Sequence, residues 1–366
     1  MTLCLLPGIA IVAPMPLRRP WSGPRALLAA GLLLAAVPAG AKTSVNRLLR
    51  ELSATQGDAQ LRVIRALGRS GRSKAAAPLL ALFDVRQDSP RRSAAIAEAL
   101  GKLGARGAAE PLTGAWDYLT GLRQQGELPA QIAVLRRAVV EALGGVGGEA
   151  AGRTLLEALS DPDPAVAQGA ARGLGLLRER RAAGALSELS SRGGNLGQAA
   201  CEALGRIGGE QVVPALQRGL RLEPAQAASA AYGLALMGRK EGRRRLEELL
   251  AAPSASGPSG VLAAYYLAKL DRSAGLDFLV RRLESGEEAL SLPAAEALGK
   301  CGNPRAAAPL AEALGRAGPA LRLVIARGLG ELGGPRAALS LKALRDDPDP
   351  GVRGAAAIAL AELGED

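Results

Sequence analysis

Residues 294–310 read AAEALGKCGNPRAAAPL, and the core of this segment, Ala297-Leu298-Gly299, recurs along the chain. The equivalent leucines of the ten copies are Leu67, Leu100, Leu143, Leu174, Leu204, Leu234, Leu267, Leu298, Leu329 and Leu360. Neighbouring leucines are 30 to 33 residues apart, except for an interval of 43 residues between Leu100 and Leu143. A fixed period of this length is typical of repeat arrays, in which each unit buries its apolar face against its neighbours. The sequence therefore predicts one repeat array rather than separate globular domains.

Small residues flank the repeated leucine. The residue before it is Ala or Gly in every copy except the one with Tyr266, and the residue after it is always Gly or Ala. Because each Gly costs a helix up to about 1 kcal/mol, close packing between helices must compensate. Four residues after the leucine, eight copies have Gly, which predicts a helix end with a left-handed backbone. Arg178 and Asp271 interrupt this column.

The start of the same helix is also marked in the sequence. Ser89-Pro90, Asp163-Pro164 and Asp349-Pro350 each place a capping side chain before a proline at the first helical position. Apolar spacing between residues 306 and 314 predicts a second helix in each unit. We therefore predict an all-α fold without β-sheet: an α-solenoid, wound as a right-handed superhelix of about ten helix pairs, over residues 42–366. No polar capping repeat follows the last helix, so we expect that helix to cap itself or to meet another chain.

This pattern resembles HEAT repeats, in the short form found in phycobilin-lyase-like proteins. The resemblance is carried by residues 347–360, which read DPDPGVRGAAAIAL, and by the link GNPRA at residues 302–306. It covers about residues 45–366. The resemblance implies that the helix with the repeated leucine lines a concave surface, and it implies a tetrapyrrole site as one option, although the shared residues are scaffold positions. One fold hosts many functions, so the resemblance names no partner.

Residues 1–41 have the features of an export signal. Three arginines between positions 18 and 25 form a basic region, residues 26–37 form an apolar run too short to span a bilayer, and residues 39–41 form a small-residue cleavage site. We predict cleavage after position 41, with Met15 as a candidate for the true start, and export to the periplasm or envelope. We expect no stable membrane span after cleavage. The alternatives are an uncleaved anchor and an extended gene start.

The composition argues against a catalytic centre. The chain of 366 residues has no histidine, so the commonest general base and metal ligand is missing. Deoxyhypusine hydroxylases also use HEAT-like repeats, but their iron motifs need histidine. Cys201 and Cys301 lie about three units apart, which predicts two free thiols. We predict no catalytic residue, no metal site, no cofactor and no enzymatic activity.

The positive charge of the chain raises nucleic acid as a partner. Lys and Arg number 46 against 35 Asp and Glu. However, the basic residues are interleaved with Glu over many units, and many occupy the last turn of a helix, where cations suit the helix dipole. Several also follow a Glu by four residues, as in Glu296 and Lys300, which favours local pairing. A solvated face therefore explains the charge, and we predict no nucleic-acid partner.

A candidate binding groove follows from the position two residues before the leucine. This is the only long column near the Ala-Leu-Gly core that is neither small nor apolar, and the residues four positions earlier extend it on the same helix face. The predicted groove consists of Arg137, Glu141, Gln168, Arg172, Gln198, Glu202, Tyr232, Tyr265, Glu296 and Arg327. Tyr232 and Tyr265 fall in consecutive units, and tyrosine is enriched at binding hot spots. We predict that both rings face solvent and anchor an extended partner segment; the alternative is a solvated face with local pairing.

The long interval between repeats offers a second candidate surface. It contains an insertion at residues 112–129 with two of the few aromatic residues, Trp116 and Tyr118. The insertion is either a protruding partner-binding element or a longer helix that packs Trp116 against the solenoid. Two functions remain open at this point. We predict an exported, non-enzymatic scaffold or adaptor that binds a protein or peptide along the groove, and the alternative is a phycobilin-lyase-like enzyme or accessory that handles a tetrapyrrole or another small ligand.

Overall fold

The computed structural model describes residues 45–126, 130–252, 255 and 257–365. The predicted export signal at residues 1–41 lies outside these residues. The described residues form twenty α-helices and no strand, arranged as ten helix pairs. This confirms the predicted all-α solenoid of about ten helix pairs.

One layer of the solenoid, here called the inner layer, contains every helix with the repeated leucine. Its members are α2 (Gly57–Arg69), α4 (Pro90–Lys102), α6 (Ala130–Val146), α8 (Pro164–Leu177), α10 (Gly194–Ile207), α12 (Pro224–Leu236), α14 (Pro258–Lys269), α16 (Glu288–Lys300), α18 (Pro319–Leu332) and α20 (Pro350–Leu363). Each inner helix contacts the next one along the chain.

The outer layer supplies the other helix of each pair, and most of its helices are shorter. Its members are α1 (Val45–Ala54), α3 (Ala76–Ala81), α5 (Ala109–Gln124), α7 (Glu149–Ala158), α9 (Ala183–Leu189), α11 (Val213–Gly219), α13 (Lys240–Ala251), α15 (Ser273–Leu283), α17 (Ala307–Ala313) and α19 (Pro335–Ala343). Side chains from both layers form the apolar core, which runs along the whole described array.

The inner helices begin and end as the sequence predicts. The side chains of Ser89, Asp163 and Asp349 each accept a hydrogen bond from a backbone N–H of the first turn, with proline in that turn. All eight glycines of the helix-end column have a positive φ. Arg178 (φ 52°) and Asp271 (φ 56°) adopt the same left-handed backbone. The column therefore marks a backbone conformation that the fold requires in each unit.

Glycine after the repeated leucine sets the spacing of the inner layer. A Cβ atom on Gly144 would lie 2.6 Å from the Cα atom of Gly173, and one on Gly299 would lie 2.5 Å from the Cα atom of Gly328. The same approach, to the small residue that precedes the leucine of the next unit, recurs at all seven glycines of this column. The glycine after one leucine thus faces the small residue before the next leucine, and at this contact the backbones of adjacent inner helices lie close together.

The inner layer is looser where Ala replaces this glycine. Ala235 in α12, Ala268 in α14 and Ala361 in α20 are the three exceptions. Helices α12 and α14, α14 and α16, and α20 and α2 are also the neighbours with the fewest contacts in the layer. A methyl group at this position holds the helices apart, because it would overlap the facing backbone at the closer spacing.

The last inner helix contacts the first. Helix α20 packs against α2, and Arg69 forms an ion pair with Glu362 across the junction. The inner helices of the described part therefore form a closed ring. A cavity of about 890 Å³ lies at the junction, lined by α1, α2 and the end of α20. The predicted need of the last helix for a cap is met by the first repeat of the same chain.

The described part of the insertion, residues 112–126, lengthens an outer helix rather than forming a protruding element. Helix α5 contains Trp116, which is only 4% exposed. The guanidinium carbon of Arg136 lies 4.7 Å from the centre of the indole ring, and Arg136 forms a buried ion pair with Asp161. Tyr118 is half-buried, with the guanidinium carbon of Arg86 5.1 Å from its ring centre. The interpretation of Trp116 as an exposed partner-binding residue is therefore wrong, because its ring fills space between the layers.

The two cysteines of the described chain are free and buried, as predicted. Burial raises the pKa of the Cys201 thiol to about 12, with a smaller opposing effect from Gln226. Burial also raises the pKa of Cys301. Both thiols therefore stay protonated at neutral pH and fill small gaps in the core. None of the described helices is long and apolar enough to cross a membrane.

Candidate functional site

A cavity of about 380 Å³ opens on the inner layer, between α8, α10, α14 and α16. We call it the inner pocket. Six of the ten predicted groove residues line it: Gln168, Arg172, Gln198, Glu202, Tyr265 and Glu296. Arg137 and Glu141 on α6, and Arg327 on α18, are exposed but do not line this cavity. Side chains from helices that are distant in sequence thus converge on one concavity.

The pocket forms because the inner layer folds over α12. Residues 226–235 of this helix are all buried. The Nζ atom of Lys269 on α14 lies 3.3 Å from Oε1 of Glu202 on α10, so the two flanking helices are joined across the face of α12. This contact also identifies the concave side of the array, because two helices separated by a third can meet only on that side.

Tyr232 does not face solvent, which corrects the prediction. It is 2% exposed and stacks on Tyr266, with ring centres 4.3 Å apart and planes 10° apart. The cause is Tyr266, which stands where the other units have Ala or Gly and offers a flat aromatic partner. The Tyr266 hydroxyl lies 3.1 Å from Oγ of Ser229. Tyr232 is therefore part of the core under the pocket, and not a contact residue.

Tyr265 remains available to a ligand. It is half-buried and lines the pocket, and its ring centre lies 5.4 Å from that of Tyr266. The Nζ atom of Lys269 lies 5.3 Å from the centre of the Tyr265 ring and 5.2 Å from that of Tyr232. This cation holds both rings in place through cation–π contact. One wall of the pocket is thus a supported aromatic surface.

The carboxylate of Glu202 forms ion pairs with two cations, Arg206 and Lys269. It accepts hydrogen bonds from Arg206 at 2.8 Å and from Lys269 at 3.3 Å. Burial raises the pKa of Glu202, but Lys269 and Arg206 outweigh that effect and hold the pKa below its usual value. Burial lowers the pKa of Lys269, but Glu202 and the two neighbouring tyrosines outweigh it, so that pKa lies above its usual value. Both groups are therefore charged at neutral pH and form a fixed bridge over α12.

The remaining charges of the pocket are paired unequally. Glu296 forms an ion pair with Lys300 four residues later on α16. The side chain of Arg172 has no ion pair or hydrogen bond within the described part of the chain. Burial and Glu98 raise the pKa of Glu141 on the neighbouring helix. Arg172 lowers this pKa, but by less, so the pKa of Glu141 lies above its usual value. Within the described residues, Arg172 is thus the charged group of the pocket that forms no ion pair or hydrogen bond through its side chain.

Sequence reasoning missed the bridge from Lys269 to Glu202, the stacking of Tyr266 on Tyr232 and the apolar wall formed by Val261 and Leu262. The sequence does contain a signal for the different packing of this region, in the positions directly before and after the repeated leucine. Ala235 and Ala268 replace Gly in consecutive units, and Tyr266 replaces Ala. These departures widen the spacing at α14, where the pocket lies. Among the described residues, no three Cys, Asp or Glu side chains cluster in a way that could hold a metal ion.

Two family models of helical repeats match parts of the chain. The HEAT repeat family matches residues 130–195 and 153–237, and the PBS lyase HEAT-like repeat matches residues 294–316. No curated protein sequence matches the chain. These matches agree with the resemblance on which the fold was predicted.

Three solved structures are similar in outline. Human deoxyhypusine hydroxylase in complex with glycerol is 22% identical over 70% of this chain and 98% of that chain, with a TM-score of 0.37. An engineered protein is 18% identical over 87% of this chain and 98% of its own, with a TM-score of 0.34. The complex of CpcE and CpcF of phycocyanin lyase from Nostoc sp. PCC7120 is 19% identical over 86% of this chain and 98% of that chain, with a TM-score of 0.33.

These similarities correct one prediction. From the sequence we predicted a protein without enzymatic activity. Two of these three structures belong to enzymes, a hydroxylase and a lyase, which contradicts that prediction. One fold hosts many functions, so function has to be argued from the site.

Proposed function

We propose that this protein, a solenoid of HEAT and PBS lyase HEAT-like repeats, binds an extended segment of a protein partner in the inner pocket. The observation that supports the proposal is the convergence of side chains from α8, α10, α14 and α16 on one cavity of about 380 Å³. A cavity of this size accepts a few side chains, whereas a folded domain needs a much larger interface.

The lining of the pocket suits a polypeptide backbone. Gln168, Asn195 and Gln198 contribute side-chain amides from two adjacent helices. Each amide carries a donor and an acceptor, so it can pair with both the N–H and the C=O of an extended segment. Tyr265 adds a rigid aromatic surface with a polar tip, the kind of side chain that anchors interfaces. Together these groups offer backbone recognition beside one apolar anchor.

Removing the aromatic anchor tests the proposal. Random linear peptides are selected against the full chain, and the affinity of the selected peptides is measured by titration calorimetry. We expect Tyr265→Ala to weaken binding by about 2 kcal/mol, roughly thirtyfold, because the truncated side chain leaves the peptide without its apolar contact. Leu339→Ala is the matched control, since Leu339 is 72% exposed and lies on outer helix α19, and it should leave the affinity unchanged. Equal affinities of wild type and Tyr265→Ala would place the contact elsewhere.

We further propose that the protein is exported and acts in the periplasm or envelope. The support is the sequence of residues 1–41, with its basic region, short apolar run and small-residue cleavage site. N-terminal sequencing of the protein recovered from an envelope fraction should begin at Lys42. Recovery from the cytoplasm with Met1 or Met15 intact would refute export.

A further inference from the structure

The charged side chains of the inner pocket are paired unequally within the described part of the chain. Both carboxylates that line it are engaged, Glu202 by Arg206 and Lys269, and Glu296 by Lys300. Arg172 is exposed and, within the described residues, has neither an ion pair nor a hydrogen bond to its side chain. Among the charged groups that line the pocket, the Arg172 guanidinium is therefore the one left to form an ion pair with a ligand, although it also interacts electrostatically with Glu141 on the neighbouring helix.

We propose that the segment bound in the inner pocket carries an acidic side chain that pairs with Arg172. The proposal rests on the proposed function and specifies its ligand. The guanidinium group presents a planar set of donors that matches a carboxylate in two parallel hydrogen bonds. Gln168 precedes Arg172 by one helical turn on the same face, and Gln198 lies on the next inner helix. The amides can therefore form hydrogen bonds with the backbone of the bound segment, while Arg172 pairs with its acidic side chain.

The acidic residue should stand next to an apolar one. Val261, Leu262 and Tyr265 of α14 form the wall of the pocket opposite α8. A segment that places its carboxylate at Arg172 brings its neighbouring residues towards this wall. Burying an apolar side chain there adds binding free energy in proportion to the area removed from water. The expected ligand thus combines one acidic residue with an adjacent apolar or aromatic residue.

A polyanion fits the pocket poorly. The carboxylates of Glu202 and Glu296 lie on its lining, and Glu141 is on the helix that precedes Arg172. A run of phosphates or of several acidic residues would approach at least one of these carboxylates, and like charges that meet at an interface cost binding free energy. One anionic group with uncharged neighbours avoids this repulsion.

A charge exchange tests the inference. Peptides selected against the full chain should contain Asp or Glu, and Arg172→Glu should weaken their binding at least about tenfold, because hydrogen bonds to charged groups contribute about 1.5–3 kcal/mol. Replacing the acidic residue of the peptide with Lys should restore binding to the Arg172→Glu variant. Arg327→Glu is the matched control: Arg327 holds the equivalent position on α18, is exposed and lies outside the pocket, so its reversal should change the affinity little.

The outcomes separate this inference from the proposed function. Peptides that bind through Tyr265 but contain no acidic residue, or that bind Arg172→Glu as tightly as wild type, would overturn the inference and leave the proposed function standing. A selection that yields no binding peptide would overturn both. N-acetylaspartate amide serves as the small-carboxylate probe; if it binds as tightly as the peptides, the pocket is a site for a small acid instead.

Discussion

Replacing Asp161 with alanine is expected to lower the free energy of unfolding by about 3–5 kcal/mol, because it leaves a buried arginine without its counter-ion. Arg136 is 1% exposed and directs its guanidinium group at the Asp161 carboxylate. The other side of that group lies over Trp116, and its Nε atom has no partner within the described chain. Arg136 therefore cannot recover the lost interaction from water. Urea denaturation followed by circular dichroism measures the change.

The chain contains a matched control for this substitution. Asp347 occupies the same position in a second Asp-Pro-Asp-Pro loop and pairs with Arg322. In both loops the first Asp also accepts the backbone N–H of the second at 2.9 Å, so Asp347→Ala removes the same loop contact. Arg322 is 17% exposed and can hydrate, so a smaller loss is expected. Equal losses at the two positions would show that burial of Arg136 does not set the cost.

Gly299→Ala is expected to destabilise the ring by about 1–3 kcal/mol, the range seen when a packed interface is overfilled. Helix propensity alone predicts the opposite sign, since Ala is favoured over Gly by about 1 kcal/mol in a helix interior. The new methyl group would lie 2.5 Å from the backbone of Gly328 on the next inner helix. A backbone atom cannot rotate away as a side chain can, so α16 and α18 must separate.

Gly354→Ala is the control, because Gly354 lies in the inner helix α20 and a Cβ atom there would meet nothing within 4 Å. That substitution should stabilise the protein by up to about 1 kcal/mol. Thermal denaturation of both variants gives the two signs directly. A Gly299→Ala variant as stable as wild type would mean that the inner interface tolerates a wider spacing than the seven-glycine column indicates.

Much of the fold could be predicted from the sequence because its signals are local. The cap of Asp163, the glycines at the helix ends and the small residues beside each leucine depend on one turn of backbone or on one neighbouring helix. Such contacts recur in every unit, so ten copies report the same geometry. The ring closure could not be predicted this way, because it depends on the sum of small angles between ten units and on the packing of α20 against α2, which includes the ion pair of Arg69 with Glu362.

The candidate site was predictable in its outline and not in its detail. Glu202 and Tyr265 of the column two residues before the leucine line one cavity, together with Gln198 four positions before Glu202. Tyr232 shares that column and is buried, because Tyr266 of α14 stacks on its ring and Lys269 joins α14 to α10 above it. A repeated sequence position indicates only which face of its own helix a residue lies on. Whether that residue is exposed depends on how much of the face the neighbouring helices cover. The substitution of Tyr266 for a small residue was the one sequence signal that this stretch packs differently.

Ring closure makes the number of repeats a structural constraint. An open array can gain or lose a unit by duplication or deletion, since each unit contacts only its neighbours and the two ends stay free. Here α20 must contact α2, so the rotations between successive units must add up to one full turn. An additional unit would make the two ends overlap, and a missing unit would leave a gap between them. The same geometry removes the frayed ends at which open arrays begin to unfold, because the first and last repeats each have a neighbour on both sides.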